Sequence, residues 1–180
     1  MAFSKPNARQ NRIDLAQVGH AGAIAVLAAD GFEASDLTGL ASAAERQGYK
    51  TVMLSPSKAL VSGRAHTGEE MNFVVDAQPG GEPVDGFKGL VIPGGGASLN
   101  RLRNDQDARL LVGEFLRRGA PVCAFGDAVD LLAELAEQSE VSADAVLALK
   151  GQIFASDGEN ARTDASNVFI QTLDLDKKAA

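Results

Sequence analysis

Short apolar runs that alternate with helical patterns constrain the fold of this chain more than any other feature. The runs lie at residues 23–27, 51–54, 89–92 and 122–124. Their apolar residues are continuous and do not alternate with polar ones, which is typical of strands buried on both faces. Because strands that alternate with helices form a mostly parallel sheet, the pattern predicts an α/β fold with helices on both faces of the sheet.

The segments between these runs complete the predicted fold. Ser35 is expected to cap a helix over residues 36–47, because serine is a favoured N-cap residue. Further helical patterns cover residues 107–118 and 128–136, and a short docked helix is expected at 167–173. A small hairpin or a pair of edge strands is predicted within residues 59–75, followed by a surface connection rich in proline and glycine at 78–87.

Together these elements predict the flavodoxin-like three-layer sandwich. In open sheets of this kind, ligands bind beyond the carboxyl ends of the strands. Three loops are expected to gather there, at residues 30–36, 93–98 and 124–127. These loops define the predicted site.

The length of the chain favours a single folded domain. With 180 residues, of which 45% are hydrophobic, it is large enough for one buried core and short for two. We expect residues 21–180 to form this domain. Residues 1–20 are polar and basic and are predicted to form a loosely held N-terminal arm, in which residues 12–18 form helical turns that dock on the domain or on a partner subunit.

Charge and cysteine content exclude several classes of function. The net charge of -7 argues against a nucleic-acid or anionic-membrane partner, since both need a basic surface. The apolar run at residues 21–29 is about half the length of the ~20-residue span that a membrane helix needs. The single cysteine, Cys123, cannot form an intramolecular disulfide, and with His20 and His66 it is too sparse a set for a typical zinc site. We therefore expect a cytoplasmic protein without a metal or cofactor.

Residues 121–127 have the pattern of a nucleophile elbow, a strand that ends in a tight turn and leads directly into a helix. The position of the nucleophile is predicted to be Ala124, which cannot attack a carbonyl. Cys123 lies one residue earlier, and successive strand side chains point to opposite faces, so its sulfur is expected in the core. The alternative is a shift of one residue that puts Cys123 on the turn, where it would need a lowered pKa to react.

Three motifs, residues 30–37, residues 91–95 and the elbow, resemble the ThiJ/PfpI family of the class I glutamine amidotransferase-like superfamily. The resemblance covers residues 22–136. Active members carry Cys-His-Gly at the elbow and an acidic residue beside the thiol, which implies that Ala124 stands at the cysteine position, Phe125 at the histidine position and Asp36 at the acidic one. It therefore implies a degenerate centre without a thiolate or a ready base. It also implies a homodimer.

Part of the sequence is similar to the C-terminal domain of large-subunit catalases, which has the same fold and lacks the cysteine centre. The similarity lies in residues 35–37, residues 126–128 and a C-terminal run with Gly151, Asp157, Gly158 and Phe169. The heme chemistry of those enzymes belongs to a separate domain. The sole tyrosine, Tyr49, follows a helix-ending glycine, and no heme site or catalase activity is expected in this chain.

Each candidate site residue also has a structural interpretation. Gly94, Gly95 and Gly96 could present amides to an anion or oxyanion, or they could simply turn the chain. Asp127 is expected to cap a helix more than to act in catalysis. Glu33 and Asp36 could form a small acidic pocket, which is weak evidence for metal binding or acid/base chemistry.

Two main hypotheses of function follow. We favour a non-catalytic, stand-alone relative of the catalase C-terminal domain that binds a partner, stabilises an oligomer or protects proteins under stress. The alternative is an intracellular hydrolase, amidase-like enzyme or lyase that uses Cys123 or the cleft at Glu33 and Asp36. A weaker third is a ligand sensor without chemistry. The expected binding cleft is formed by Gly94, Gly95, Gly96, Gly126 and Asp127, and its occupant would be a protein partner or a small molecule.

Overall fold

A computed structural model of the chain describes residues 22–57, 59–81, 84–138, 153–156 and 159–179. The strands in these ranges are β1 Ala23–Leu27, β2 Phe32–Glu33, β3 Lys50–Leu54, β4 Leu60–Arg64, β5 Glu70–Val74, β6 Phe87–Ile92, β7 Val122–Phe125 and β8 Ile153–Ser156. The α-helices are α1 Ser35–Arg46, α2 Gly96–Asn104, α3 Gln106–Arg117, α4 Ala128–Gln138 and α5 Glu159–Ala179. Within the same ranges, no helix has the length and apolar character needed to cross a membrane. The predicted N-terminal arm, and Gly151, Asp157 and Gly158, lie outside the described residues.

The main sheet has five parallel strands in the order β3-β1-β6-β7-β8. Alternate residues of each strand contribute to two separate cores. In β1, for example, Ala25 and Leu27 face α2, α3 and α4, whereas Ile24 and Val26 face α1 and α5. Because both faces are covered, the strands need apolar residues at every position, which explains the continuous runs in the sequence. The flavodoxin-like three-layer α/β fold predicted from the sequence is confirmed.

A second, three-stranded sheet contains β2, β4 and β5. Strands β4 and β5 form the antiparallel hairpin expected within residues 59–75, and β2 pairs in parallel with β4. Phe32 in β2 is wholly buried. Its ring lies over Gly63, where a Cβ atom would come within 2.7 Å of Phe32 Cζ, so glycine permits this close packing. With only two residues, β2 is too short to be recognised from sequence periodicity.

The start of α1 differs from the prediction. Ala34, not Ser35, is the N-cap residue, and no side chain caps the helix. Ser35 Oγ instead accepts a hydrogen bond from the backbone N of His66, at 3.0 Å. The serine therefore connects α1 to the turn between β4 and β5, a long-range role that local sequence does not indicate.

Helix α2 was not predicted, and part of it occupies the expected loop at residues 93–98. Its sequence is mostly polar, and its buried apolar stripe consists of Leu99 and Leu102, too few residues for a clear helical period. Two smaller differences concern boundaries. The connection at 78–87 contains two short 3₁₀ turns and ends where β6 begins, at Phe87. The expected helix at 167–173 is the middle of α5, which is 21 residues long.

Candidate functional site

The three predicted loops follow strands β1, β6 and β7, which are neighbours in the main sheet. Their carboxyl ends therefore bring the loops together, as the fold predicts. The backbone N of Glu33 donates to Gly94 O at 2.8 Å, which joins the first loop to the second. The N of Gly95 donates to Asp127 Oδ1 at 3.2 Å, which joins the second loop to the third.

Asp36 lies in the first turn of α1 and is only 3% exposed. Its Oδ2 atom accepts a hydrogen bond of 2.9 Å from the backbone N of Gly94. Glycine is favoured at this position by close approach, because a Cβ atom would lie 3.1 Å from Phe125 O and 3.3 Å from a carboxylate oxygen of both Asp36 and Asp127. The three loops thus converge on one residue without a side chain.

Gly95 has a φ of 111°, a backbone conformation that L side chains rarely adopt. A Cβ atom there would lie 2.5 Å from Gly31 O and 2.9 Å from Phe32 Cα. The glycine turn therefore packs directly against the backbone of the first loop. Gly96 is the first residue of α2, and a Cβ atom on it would meet Asp127 Oδ2 at 3.6 Å.

The amides of Gly94 and Gly95, which the sequence offered as donors to an anion, already donate to carboxylates of this chain. Gly94 N bonds to Asp36 and Gly95 N bonds to Asp127. An anion that approached these amides would meet two negative side chains. The geometry thus assigns the amides to holding the loops together.

The turn after β7 is placed differently from the sequence prediction. Ala124 lies inside β7, where it pairs with Ile92 and Ala155, and its side chain is wholly buried on the α2, α3 and α4 side. Phe125 is the last residue of the strand and is wholly buried on the opposite side. The turn residue is Gly126, with a φ of 55°. The prediction ended the strand at 124, but pairing with β8 continues it through Phe125.

Gly126 is exposed, and a Cβ atom built on it would have no neighbour within 4 Å. A side chain at this position would therefore enter open space. By the Cys-His-Gly motif, however, Gly126 is the glycine and Ala124 stands at the cysteine position. Ala124, which the sequence predicted at the turn, is a wholly buried core residue instead.

Cys123 is wholly buried, on the same face of the sheet as Ile24, Val26 and Phe169. The alternation of strand side chains predicted this position, and the alternative that puts Cys123 on the turn is wrong. Burial raises the pKa of the thiol well above its ordinary value, and the negative charge of Asp36 raises that pKa further. The thiol is therefore protonated at neutral pH, and a protonated thiol is a poor nucleophile.

The two acidic residues of the first loop contact different partners and do not form a common pocket. Glu33 Oε1 accepts a hydrogen bond from Ser35 N at 3.4 Å and lies 3.5 Å from His66 Nδ1. Asp36 is directed at Gly94. Asp127 immediately precedes α4, where the helix dipole favours a carboxylate, and its Oδ1 reaches across to Gly95. In the ranges that the structure covers, no group of three or more His, Cys, Asp or Glu side chains is arranged to hold a metal ion.

Two residues of α2, which the sequence did not reveal as part of the site, form hydrogen bonds to the chain at the end of β1. The wholly buried Ser98 accepts a hydrogen bond from Ala29 N at 2.9 Å through its Oγ. The guanidinium of Arg101 donates to Asp30 O at 2.7 Å. Both side chains hold the end of β1. The spacing of Leu99 and Leu102 is compatible with a helix that would contain both residues. Two leucines are too few, however, to identify that helix from the sequence.

The carboxylate of Asp30 connects the two sheets. Its Oδ1 atom accepts hydrogen bonds from Ser62 N at 2.8 Å and from Ser62 Oγ at 3.2 Å, and Ser57 Oγ donates to Oδ2 at 3.4 Å. The backbone bond from Ser62 is the main cause that holds the pKa of Asp30 below its ordinary value. Asp30 therefore fixes the first loop against β4 in its ionised form.

Comparisons with known proteins agree with this fold. The model of the DJ-1/PfpI family matches residues 23–168. Among solved structures, a ThiJ/PfpI domain protein from Brachyspira murdochii is 18% identical with a TM-score of 0.67, over 86% of this chain and 97% of that one. Oxidised DJ-1 from Toxoplasma gondii is 13% identical with a TM-score of 0.61, over 86% and 97%.

A two-domain protein from Anabaena variabilis, with a DJ-1/ThiJ/PfpI-like and a ferritin-like domain, is also similar. It is 18% identical with a TM-score of 0.67, and the match covers 85% of this chain but only 48% of that longer one. At these identities the structural matches show the fold alone. Comparison with curated protein sequences finds no match to this chain.

Proposed function

The chain belongs to the DJ-1/PfpI family, and we propose that it is a non-catalytic member, a pseudoenzyme that acts by binding. The observation that carries this proposal lies at the end of β7. Ala124, which stands at the cysteine position by the resemblance, and the single cysteine, Cys123, are both wholly buried in the strand. The cysteine position therefore carries only a buried methyl group, and the turn residue Gly126 has no side chain.

A covalent mechanism needs an ionised or readily ionised nucleophile next to a base. The Cys123 thiol has a raised pKa and no exposed surface, so it meets neither condition. The alternative function, a hydrolase, amidase-like enzyme or lyase that uses Cys123, is disfavoured for the same reason. An enzyme that uses the cleft at Glu33 and Asp36 is also disfavoured, because the two carboxylates have separate partners. Glu33 contacts Ser35 and His66, and Asp36 bonds to Gly94.

The electrostatics of the loops also oppose acyl-transfer chemistry. An oxyanion hole presents free amide donors to a developing negative charge. Here the amides of Gly94 and Gly95 donate to Asp36 and Asp127. A developing oxyanion would have to displace a carboxylate and would remain beside its charge, which destabilises a transition state of that kind.

The remaining elements of the proposal come from the sequence. We propose a cytoplasmic homodimer that is a stand-alone relative of the C-terminal domain of large-subunit catalases. Its role would be to bind a partner, stabilise an oligomer or protect proteins under stress. The sequence Gly126-Asp127-Ala128, at the turn and the start of α4, is one of the motifs on which that resemblance rests.

Thiol titration combined with a turnover assay tests the proposal. We expect Cys123 to react with a disulfide reagent only after denaturation, and the native protein to hydrolyse amide and ester substrates no faster than the Cys123→Ser variant. That variant should keep the oligomeric state and lose a modest amount of stability, since it buries a hydroxyl.

Turnover that is abolished by Cys123→Ser would overturn the proposal. Turnover that survives this change but is lost in Asp36→Asn would instead support the acidic-cleft alternative. Circular dichroism of each variant verifies that it is folded.

A further inference from the structure

A second cleft lies beside Asp36, on the side away from the glycine turn. It has a volume of about 380 Å³ and opens where the start of α1, the turn between β4 and β5, and α5 meet. This volume is at the lower end of the range of about 300–1,000 Å³ that is usual for small-molecule clefts. A ligand of this cleft is therefore small.

Five of the nine residues that line this cleft carry a hydroxyl group. These groups come from three separate elements and belong to Ser35, Thr38, Thr67, Thr163 and Ser166. Small-molecule clefts are usually lined mainly by apolar side chains. The groove on the other side of α1 has that ordinary character, with Leu37, Leu40 and Met53 in its lining. The cleft beside Asp36 thus offers more hydroxyl groups to a ligand than that groove does.

A hydroxyl group has one donor and two acceptor sites, so it keeps capacity for a ligand after it has made one bond within the protein. Ser35 Oγ, for example, accepts from His66 N and still carries its own hydrogen. A surface of such groups is complementary to a ligand that also donates and accepts at several neighbouring atoms. Vicinal hydroxyls of a sugar or sugar alcohol have this property.

The charges around the cleft select a neutral ligand. Asp36 lines the cleft, although its buried carboxylate is directed at Gly94, and the carboxylate of Glu33 lies next to the lining, 3.5 Å from His66 Nδ1. In the part of the chain that the structure describes, no Lys or Arg contributes to the lining. Among the described side chains, a phosphate or carboxylate on the ligand would therefore lie near the charge of Glu33 without a Lys or Arg beside it, which disfavours sugar phosphates and sugar acids.

The walls of the cleft are held in place without a ligand. His66 N bonds to Ser35 Oγ at 3.0 Å, which attaches the turn to α1. The turn itself is closed by hydrogen bonds from Ala65 N to Glu69 O at 2.9 Å and from Gly68 N to Ala65 O at 2.8 Å. A preformed cleft avoids part of the ordering cost of binding.

We propose that this cleft binds a small, neutral, polyhydroxylated compound of the size of a single sugar or sugar alcohol. Thr163 on α5 and Thr67 in the turn bond to the ligand hydroxyls from two different walls. This inference goes beyond the non-catalytic role and does not depend on it, because it concerns binding at a different surface.

Saturation-transfer NMR and calorimetric titration of the full chain with D-glucose, D-ribose and D-mannitol test the proposal. We expect saturable binding of at least one of these probes and weaker binding of glucose 6-phosphate. Thr163→Val and Thr67→Val, which keep the side-chain shape and remove the hydroxyl, should each weaken binding by about three- to tenfold. Thr172→Val is the matched control on α5, since Thr172 lies outside the cleft and bonds to Val168 O.

Three outcomes would overturn the proposal: none of the neutral probes binds saturably, glucose 6-phosphate binds more tightly than glucose, or both cleft variants bind like Thr172→Val. Because Thr163 is exposed, its substitution should change the stability of the fold little, and thermal unfolding of each variant verifies this. The turnover assay described above remains a separate test, because its result changes the non-catalytic proposal and leaves the binding measurement as it is.

Discussion

Asp36 and Asp127 accept hydrogen bonds from two consecutive backbone amides, those of Gly94 and Gly95, although they lie at the beginnings of different helices. The two carboxylates approach the glycine turn from either side. Since Gly94 has no side chain, oxygen atoms of both come as close as 3.3 Å to where its Cβ would be. This arrangement suggests that the loops are fixed by internal charge-assisted bonds, each stronger than a neutral hydrogen bond.

Removing the carboxylate of Asp36 should destabilise the fold. Asp36→Ala leaves the buried amide of Gly94 without this acceptor, which costs about 1–3 kcal/mol in the free energy of unfolding. Asp36→Asn keeps an acceptor oxygen and should cost less. Urea denaturation measures both, with Ser42→Ala on the exposed side of α1 as the control. An Asp36→Ala variant as stable as Ser42→Ala would show that the bond contributes little.

A cysteine at the turn should react, whereas one in the strand should not. In a Cys123→Ser background, Gly126→Cys places a thiol in open space, and Ala124→Cys places it in the core. We expect modification by a disulfide reagent to be at least about tenfold faster for Gly126→Cys, because exposure and ionisation control the rate. The positive φ adds a cost of about 1–2 kcal/mol. Equal rates in the native state would contradict the placement of the turn at Gly126.

Two glycine-to-alanine changes should have opposite effects on stability. Gly95→Ala introduces a methyl group 2.5 Å from Gly31 O at a φ of 111°, so it must distort the turn and destabilise the protein. Gly39→Ala lies in the middle of α1 with nothing within 4 Å of the new atom and should stabilise the helix by about 0.5–1 kcal/mol. Thermal unfolding of the pair measures the difference. The packing of the glycine turn would be in question if Gly95→Ala unfolded at or above the temperature of the unaltered protein.

The contribution of Asp30 to stability should depend on pH. The folded pKa of Asp30 lies below its ordinary value of 3.8, so its ionised form is favoured by folding. The gain is complete well above pH 3.8 and is lost as the pH falls from there through the folded pKa. Because the side chain is 43% exposed, solvent screening keeps the effect small.

Denaturation of the unaltered chain and of Asp30→Asn, at pH 7 and again well below pH 3, measures this contribution. The unaltered chain should be more stable at pH 7, and the difference should shrink in acid. Glu69→Gln removes the same charge from an exposed turn and should change the free energy of unfolding by less than about 0.5 kcal/mol. If the stability difference between the unaltered chain and Asp30→Asn grew in acid, it would contradict this prediction.

The main sheet and its covering helices could be predicted from the sequence because buried parallel strands leave a direct signature of continuous apolar residues. Helix α2 and strand β2 leave no comparable pattern in the sequence. Each is short, and each is stabilised by contacts distant in sequence, such as that between Ser98 and Ala29 or between Phe32 and Gly63. Ser35 shows the same limit, since its hydroxyl bonds to the turn at His66 and not to its own helix.

The site could be predicted in outline, because the ends of adjacent parallel strands must lie together. The residue that forms the turn after β7 could not be predicted. Where β7 ends depends on pairing with β8, a strand that lies 28 or more residues farther along the chain. That pairing moves the turn from Ala124 to Gly126. The sequence also could not show that the amides of Gly94 and Gly95 are used by Asp36 and Asp127, since this depends on the approach of three separate loops.

The open space at Gly126 also bears on how easily such a chain could change by mutation. The glycine codons GGU and GGC become the cysteine codons UGU and UGC through a change of the first base. No described neighbour within 4 Å would obstruct the new side chain. Sterically, then, a thiol at the turn is within reach of a single nucleotide change, and the obstacles to its reactivity would be the strained backbone and the nearby carboxylates.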